Sequence, residues 1–441
     1  MAILIVVVFI LGYCMIAMEH PIKIDKAASA LLTGVLCWVI LLAGLPQMPA
    51  FAHAATGMPA DVHKFIDGQL LEHLGSIASI LFFLLGAMTI VELVDVHDGF
   101  RVITDKIKTN DRVKLLWIMS WVSFFLSSGL DNMTTAIIMC ALARKLTTNK
   151  ETLWLLGGFI IIAANAGGAW SPIGDVTTIM LWIGGQVTTL NIMTATFLSS
   201  FVSLLVPLLL ASFFLKGKIE ASETTIDESD RNVITTPFEK LLMFVLGGVA
   251  LLSVPVFKYF TGMPPFMGIL LSVGVLWVIT ELLHRRKANA EEVRRDYSVS
   301  AMLHRIDTPS ILFFLGILLA VSALDVSGHL HQMANILDQK FGNIYVINTF
   351  IGLLSAVVDN VPLVAASMGM YDMTRFPPDH DFWNLLAYCA GTGGSILIIG
   401  SAAGVASMGI LHIDFLWYMK RISLYALSGY LAGVATYYIT H

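Results

Sequence analysis

Apolar residues run along the chain in long blocks separated by short charged segments. The blocks fall near 2–18, 27–46, 75–95, 115–143, 152–188, 194–215, 238–257, 265–283, 308–326, 344–371, 383–411 and 422–440. About 20 apolar residues of helix cross a hydrocarbon core of about 30 Å, so most blocks predict one membrane span each. Residues 2–18 have no positive flank and no Ala-x-Ala cleavage site, and they predict a first span rather than a signal peptide.

Two blocks carry a polar pair near their middle: Asp131-Asn132 in 115–143 and Asp359-Asn360 in 344–371. The arms on either side reach only about halfway through the core at 1.5 Å per residue. Each block therefore predicts a re-entrant helical hairpin with its tip at the midplane, where non-helical backbone is tolerated only inside protein or beside water. Two other blocks, 152–188 and 383–411, are too long for one span. Gly167-Gly168 through Gly174 interrupts the first and Gly393-Gly394 through Gly400 the second, so each predicts a broken helix.

If each hairpin returns to its own side, ten full crossings remain. Loops at 19–26, 96–114, 144–151, 216–240, 284–307 and 412–421 are then cytoplasmic. Of the 26 Lys and Arg residues, only Lys64, Lys258, Lys340 and Arg375 fall outside, as the positive-inside rule requires.

Composition agrees. Hydrophobic residues make up 57% and charged residues 13%, against about a quarter charged in soluble domains, and the mean hydropathy is +0.79. A secreted, nucleic-acid-binding or disordered protein is excluded. The net charge of −5 adds little. Cys14, Cys37, Cys140 and Cys389 are scattered through apolar runs without a CxxC pair, which argues against a zinc site or a disulfide framework.

The halves repeat one another. Leu31-Leu32-Thr33 with Trp38-Val39-Ile40 recurs as Leu270-Leu271-Ser272 with Trp277-Val278-Ile279. Ser79-Ile80-Leu81-Phe82-Phe83 recurs from Ser310 to Phe314, Ser127 with Asp131-Asn132 recurs as Ser355 with Asp359-Asn360, and both broken-helix glycine sets share one spacing. Five crossings per half is odd, so the second half enters from the opposite face. The predicted fold is an all-α polytopic membrane protein of two inverted-topology repeats. Each repeat has five spans plus one re-entrant helical hairpin, with broken helices at the midplane, the architecture of secondary transporters. The first repeat covers 1–216 (hairpin 115–143, broken helix 152–188). An acidic cytoplasmic linker follows at 217–237, and the second repeat covers 238–441 (hairpin 344–371, broken helix 383–411).

Three carboxylates lie deep in these spans: Asp131, Asp175 and Asp359. A charge at a helix centre costs about 2.5–3.5 kcal/mol even on the insertion scale. No Lys, Arg or His is predicted at that depth, so these groups must carry a proton or bind a cation. Hard oxygen donors surround them: Ser127, Ser128 and Asn132 at the first hairpin, and Thr177 and Thr178 after Asp175. Ser355, Asn360, Ser395 and Ser401 stand in the second half. Such donors suit a small hard cation, and soft ligands are missing. Asp175-Val176-Thr177-Thr178 faces Ser401-Ala402-Ala403-Gly404 in the other half, so the first half predicts the main cation site. Asp131 and Asp359 also fit hairpin caps, and Asp175 a helix cap, since Asp is a favoured N-cap.

The Asp-Asn tips, the glycine-broken helices and the run Ser171-Pro172-Ile173-Gly174-Asp175-Val176-Thr177-Thr178 resemble the NhaD-type sodium/proton antiporters of the ion transporter superfamily. The resemblance covers nearly the whole chain. It implies extrusion of Na⁺ (and Li⁺) against inward H⁺, handled by Asp131, Asn132, Asp175, Thr177, Thr178, Asp359 and Asn360. It also implies a dimerising scaffold with a moving transport domain, hence a homodimer in the lipid bilayer, and we expect the inner (plasma) membrane of a bacterium. No cofactor and no nucleic-acid partner are expected; Na⁺, Li⁺ and H⁺ are cargo. Related dicarboxylate and citrate carriers have Ser-Asn-Thr at the hairpin tips, where this chain has Asp-Asn-Met and Asp-Asn-Val.

A sodium-coupled organic-anion or arsenite-type carrier on the same scaffold is the alternative. No enzyme is expected and no catalytic residue is assigned. An intramembrane aspartyl protease would need Gly174-Asp175 to pair with Tyr371-Asp372, but position 172 is Pro and the order is reversed.

Overall fold

The computed structural model describes residues 2–44, 62–104, 109, 111–215, 236–284 and 298–441. The linker expected at 217–237 lies, up to residue 235, outside the described residues. Regular structure among the described residues is helical throughout. The helices are α1 (Ala2–Ala17), α2 (Lys26–Gly44), α3 (Val62–Val96), α4 (Arg112–Gly129), α5 (Asn132–Leu146) and α6 (Lys150–Gly168). Next come α7 (Val176–Ile183), α8 (Thr189–Phe214), α9 (Pro237–Thr261), α10 (Pro265–His284), α11 (Thr308–Val326) and α12 (His329–Phe341). The last six are α13 (Ile344–Leu354), α14 (Asn360–Met370), α15 (Asp381–Gly393), α16 (Ala402–Leu411), α17 (Phe415–Arg421) and α18 (Ser423–Thr440). Short helices at Glu19–Ile22, Arg101–Thr104 and Val299–Leu303 complete the set.

Local sequence accounts for the helix starts. Thr236 and Glu239 form a reciprocal capping box around Pro237 at the head of α9, which satisfies two of the orphan N–H groups there. Asp111 caps α4 and Asn149 caps α6 in the same sense. α4 and α5 form the first hairpin, with arms of 18 and 15 residues. These are longer than the half-core arms expected, because Asp111 and the basic end of α5 extend the helices beyond the apolar block. α13 and α14 form the second hairpin, with two arms of 11 residues. The long blocks are split, α6 from α7 and α15 from α16. Pro172 has no N–H to continue α6.

Seven helices among the described residues are individually long and apolar enough to cross a membrane, or eight if the bent pair α16–α17 counts as one. α6, the first part of one broken helix, is among the seven, so the expected ten crossings would also need α1, the second broken helix and α18. α1 has 16 residues, and the second broken helix divides its apolar length between pieces of 13 and 10 residues.

Pairings come in matched sets. α1 packs on α2 as α9 packs on α10, α2 on α11 as α10 on α3, α4 on α6 as α13 on α15, and α5 on α16 as α14 on α7. α8 and α18 pair with each other. The outer faces of α9 and α10 expose Leu252, Val256, Phe260, Leu271, Val278 and Leu282, a lipid-facing composition.

Candidate ion-binding site

Four chain breaks converge at the centre, and each following helix starts on a polar cap. Asp131 accepts from the Thr134 N–H, Asp175 from Thr177, Asp359 from Val361 and Ser401 from Gly404. The positive ends of four helices thus face three carboxylates and one hydroxyl, which stabilises negative charge inside the protein. Capping and ion handling are therefore compatible roles for the same side chains.

Glycine lets the breaks close on the hairpins. A Cβ on Gly167 would collide with the Phe124 carbonyl oxygen of α4, and one on Gly393 with the Gly352 carbonyl of α13. Ser127 Oγ donates to the Ala164 carbonyl at 2.6 Å, and Ser355 Oγ donates to the Ala390 carbonyl at 2.8 Å. These two serines tie each hairpin to its neighbouring broken helix.

Asp175 is the focus. It is 1% exposed. Its Oδ1 accepts from the Thr177 N–H at 2.9 Å and from Thr177 Oγ1 at 3.0 Å. Its Oδ2 accepts from Asn132 Nδ2 at 2.6 Å, and Asn360 Nδ2 lies 3.3 Å from Oδ2 and 3.4 Å from Oδ1. Both hairpin tips therefore grip one carboxylate. Thr178 Oγ1 donates to the Asp175 carbonyl instead, at 2.9 Å.

Asn165 of α6, absent from the sequence-based set, joins the remaining members. Its Oδ1 accepts from Asn132 at 3.0 Å, and its Nδ2 donates to Ser395 Oγ and Ser401 Oγ, both at 2.9 Å. A buried amide in an Ala/Gly run was the available signal.

Asp131 and Asp359 flank the focus without bonding to it, close enough for each charge to act on Asp175. Asp131 also accepts from Thr134 Oγ1 at 2.6 Å and borders a cavity of about 20 Å³ whose other walls, Phe83, Met88, Ile179 and Leu251 among them, are apolar. Asp359 borders a second cavity of about 50 Å³ with Tyr13, Glu19 and Lys26. No ion pair engages Asp131 or Asp175 among the described residues. For Asp359 the expectation of no basic neighbour fails: Lys26, at the start of α2, reaches the same cavity, and its charge acts on the carboxylate.

Ser128 is not brought to the site. Its Oγ donates to the Phe125 carbonyl and it borders a separate, mainly apolar cavity of about 320 Å³. The protease pairing also fails, because Asp372 is fully exposed and bound to Thr374, whereas Asp175 is enclosed.

Chemically, the centre offers one enclosed carboxylate, one threonine hydroxyl and three amides, with no thiol or imidazole. Turning either hairpin-tip amide would present its carbonyl oxygen in place of an N–H donor. Such a set can hold a hard monovalent cation or, with the carboxyl protonated, none.

The family described as citrate transporter, CitMHS, matches residues 13–387. Sodium/proton antiporter 1 of Arabidopsis thaliana is 48% identical over 434 residues, 98% of this chain and 71% of the relative. Sodium/proton antiporter 2 of the same plant is 43% identical over 98% of both chains. The Na(+)/H(+) antiporter NhaD of Vibrio cholerae is 30% identical over 97% of this chain and 89% of its own length.

Proposed function

We propose a function from the premise that this chain belongs to the citrate-transporter family and, within it, to the sodium/proton antiporters of the NhaD type. It is a multi-pass membrane protein and a secondary transporter that exchanges Na⁺ for H⁺. Our reading of the mechanism centres on Asp175. Na⁺ binds the ionised carboxylate together with Thr177 and the turned amides of Asn132 and Asn360. Protonation of the same oxygen removes the negative charge and releases the ion. Asp131 and Asp359 hold further negative charge beside it, so that close carboxylates titrate as a coupled set.

The supporting observation is the enclosure of Asp175 between two hairpin tips, with no cationic side chain among the described residues bonded to it. A dicarboxylate or citrate would meet three acidic groups there, which disfavours the organic-anion alternative. We take the matched helix pairings as two inverted repeats, whose hairpins and broken helices move against the scaffold helices to alternate access. Export of cytoplasmic Na⁺ and Li⁺, a homodimer, and residence in the plasma membrane of a bacterium belong to the same proposal.

Everted vesicles from a host lacking its own antiporters supply the test. With respiration driving acidification, NaCl and LiCl should each dequench a pH-sensitive dye across a pH series, and KCl should not. Failure of NaCl at every pH, with counterflow of labelled dicarboxylate instead, would move the assignment to an anion carrier.

A further inference from the structure

The cavities beside the two flanking carboxylates differ in chemistry. The one at Asp131 has apolar walls throughout. The one at Asp359 is lined by Tyr13 of α1, Glu19 of the α1–α2 connection, Lys26 at the start of α2, and Val357, Ile399 and Val405. At about 50 Å³ it has room for a few water molecules. Among the described residues the buried Tyr13 hydroxyl makes no well-formed hydrogen bond, although it lies beside the Asp359 backbone. The Lys26 ammonium lies 4.8 Å from the centre of the Phe313 ring of α11, a weak cation–π perch. The backbone N–H of Lys26 donates to Glu19 Oε1 at 3.3 Å. Among the described residues, the charged and titratable groups facing Asp359 are thus Lys26, Glu19 and Tyr13 on the cavity side, with Asp175 on the other.

We propose that Lys26 is a positioning residue that acts as a built-in counter-cation to Asp359, offsetting the negative charge that this carboxylate would otherwise lend to Na⁺ held at Asp175. The ammonium has a flexible stem and a perch worth little, so it can swing to Asp359 when the site is empty and retreat over Phe313 when Na⁺ arrives. Glu19, which lines the same cavity and accepts from the Lys26 backbone N–H, adds negative charge beside the ammonium and so weakens its hold on Asp359. This arrangement keeps an ionised Asp359 compensated without sodium and makes release of Na⁺ easier. Its counterpart Asp131 has no such neighbour among the described residues, which separates two carboxylates that are equivalent in the sequence.

The inference rests on the exchange activity proposed above, so wild-type exchange is measured first; its absence overturns that reading separately. With exchange present, the apparent KM for Na⁺ and the maximal rate, normalised to protein in the vesicles, are compared for Lys26→Met, Lys26→Arg and Glu19→Gln. Lys26→Met should lower the KM about three- to tenfold and lower the maximal rate with it, as release slows. Lys26→Arg should restore wild-type behaviour in part. Glu19→Gln should shift the KM the opposite way, upward, and it stands as an independent test if Lys26→Met does not insert. An unchanged or raised KM in Lys26→Met, or an unchanged or lowered KM in Glu19→Gln, would overturn the proposal. A merely structural role for Lys26 would lower the rate without tightening Na⁺ binding.

Discussion

Asn132 donates its side-chain amide to Asp175 Oδ2 at 2.6 Å, fastening the tip of the first hairpin to the break in the helix pair that follows it. The same nitrogen reaches Asn165 Oδ1 at 3.0 Å, and Asn165 continues to Ser395 and Ser401 in the other half. The centre is thus one polar network spanning both halves. Removing the Asn165 amide leaves several buried groups unpaired, at about 1–3 kcal/mol. Asn165→Ala should raise the KM for Na⁺ roughly tenfold or more in vesicle assays, with Asn132→Ala similar. A wild-type KM in Asn165→Ala would show that the network only fills space.

Asp131→Asn and Asp359→Asn separate charge from capping, because Asn caps helices about as well as Asp. Both variants should insert normally. Asp131→Asn should abolish Na⁺-dependent proton movement, and Asp359→Asn should impair it. Normal exchange by Asp131→Asn would leave that residue as a cap alone.

Glycine at the breaks is required by close approach. Gly167→Ala and Gly393→Ala each drive a methyl into a facing carbonyl, at about 1–3 kcal/mol of overpacking. Both should lower the melting temperature of purified protein by several degrees and reduce exchange. Gly409→Ala, with open space at that position, should do neither.

The elements that depart most from ordinary membrane helices were legible beforehand. Charge in hydrocarbon is conspicuous, and the repeated Asp-Asn and Gly-Gly pairs mark both hairpin tips and both breaks. Asn165 was harder to see because it is uncharged and its place in the second half is Gly391, so no repeat draws attention to it. Ser127 and Ser128 are adjacent on one helix and about 100° apart around its axis. Only one can face the site, and periodicity alone does not say which. Lys26 reads as a loop residue because its backbone is at a span end, while its long stem carries the ammonium inward.

His329, at the head of α12, lies outside the spans and titrates with a clear direction. Burial holds its imidazole below the ordinary histidine range, with Ser327 Oγ 2.6 Å from Nδ1. The folded state therefore binds this proton less readily than the unfolded chain. Its contribution is fully present above about pH 6.5 and is lost as pH falls through the lower folded value. Relative to wild type, His329→Gln should lose less thermal stability on acidification through that window. An identical acid limb in both proteins would contradict the assignment.

Proton release by the purified antiporter tests ion exchange at Asp175 most directly. NaCl added to lightly buffered protein should release protons into a pH-indicating dye, and Asp175→Asn should lose that release while KCl has no effect on either. Equal release from Asp175→Asn and wild type would contradict the claim that Na⁺ and H⁺ exchange places at this carboxylate.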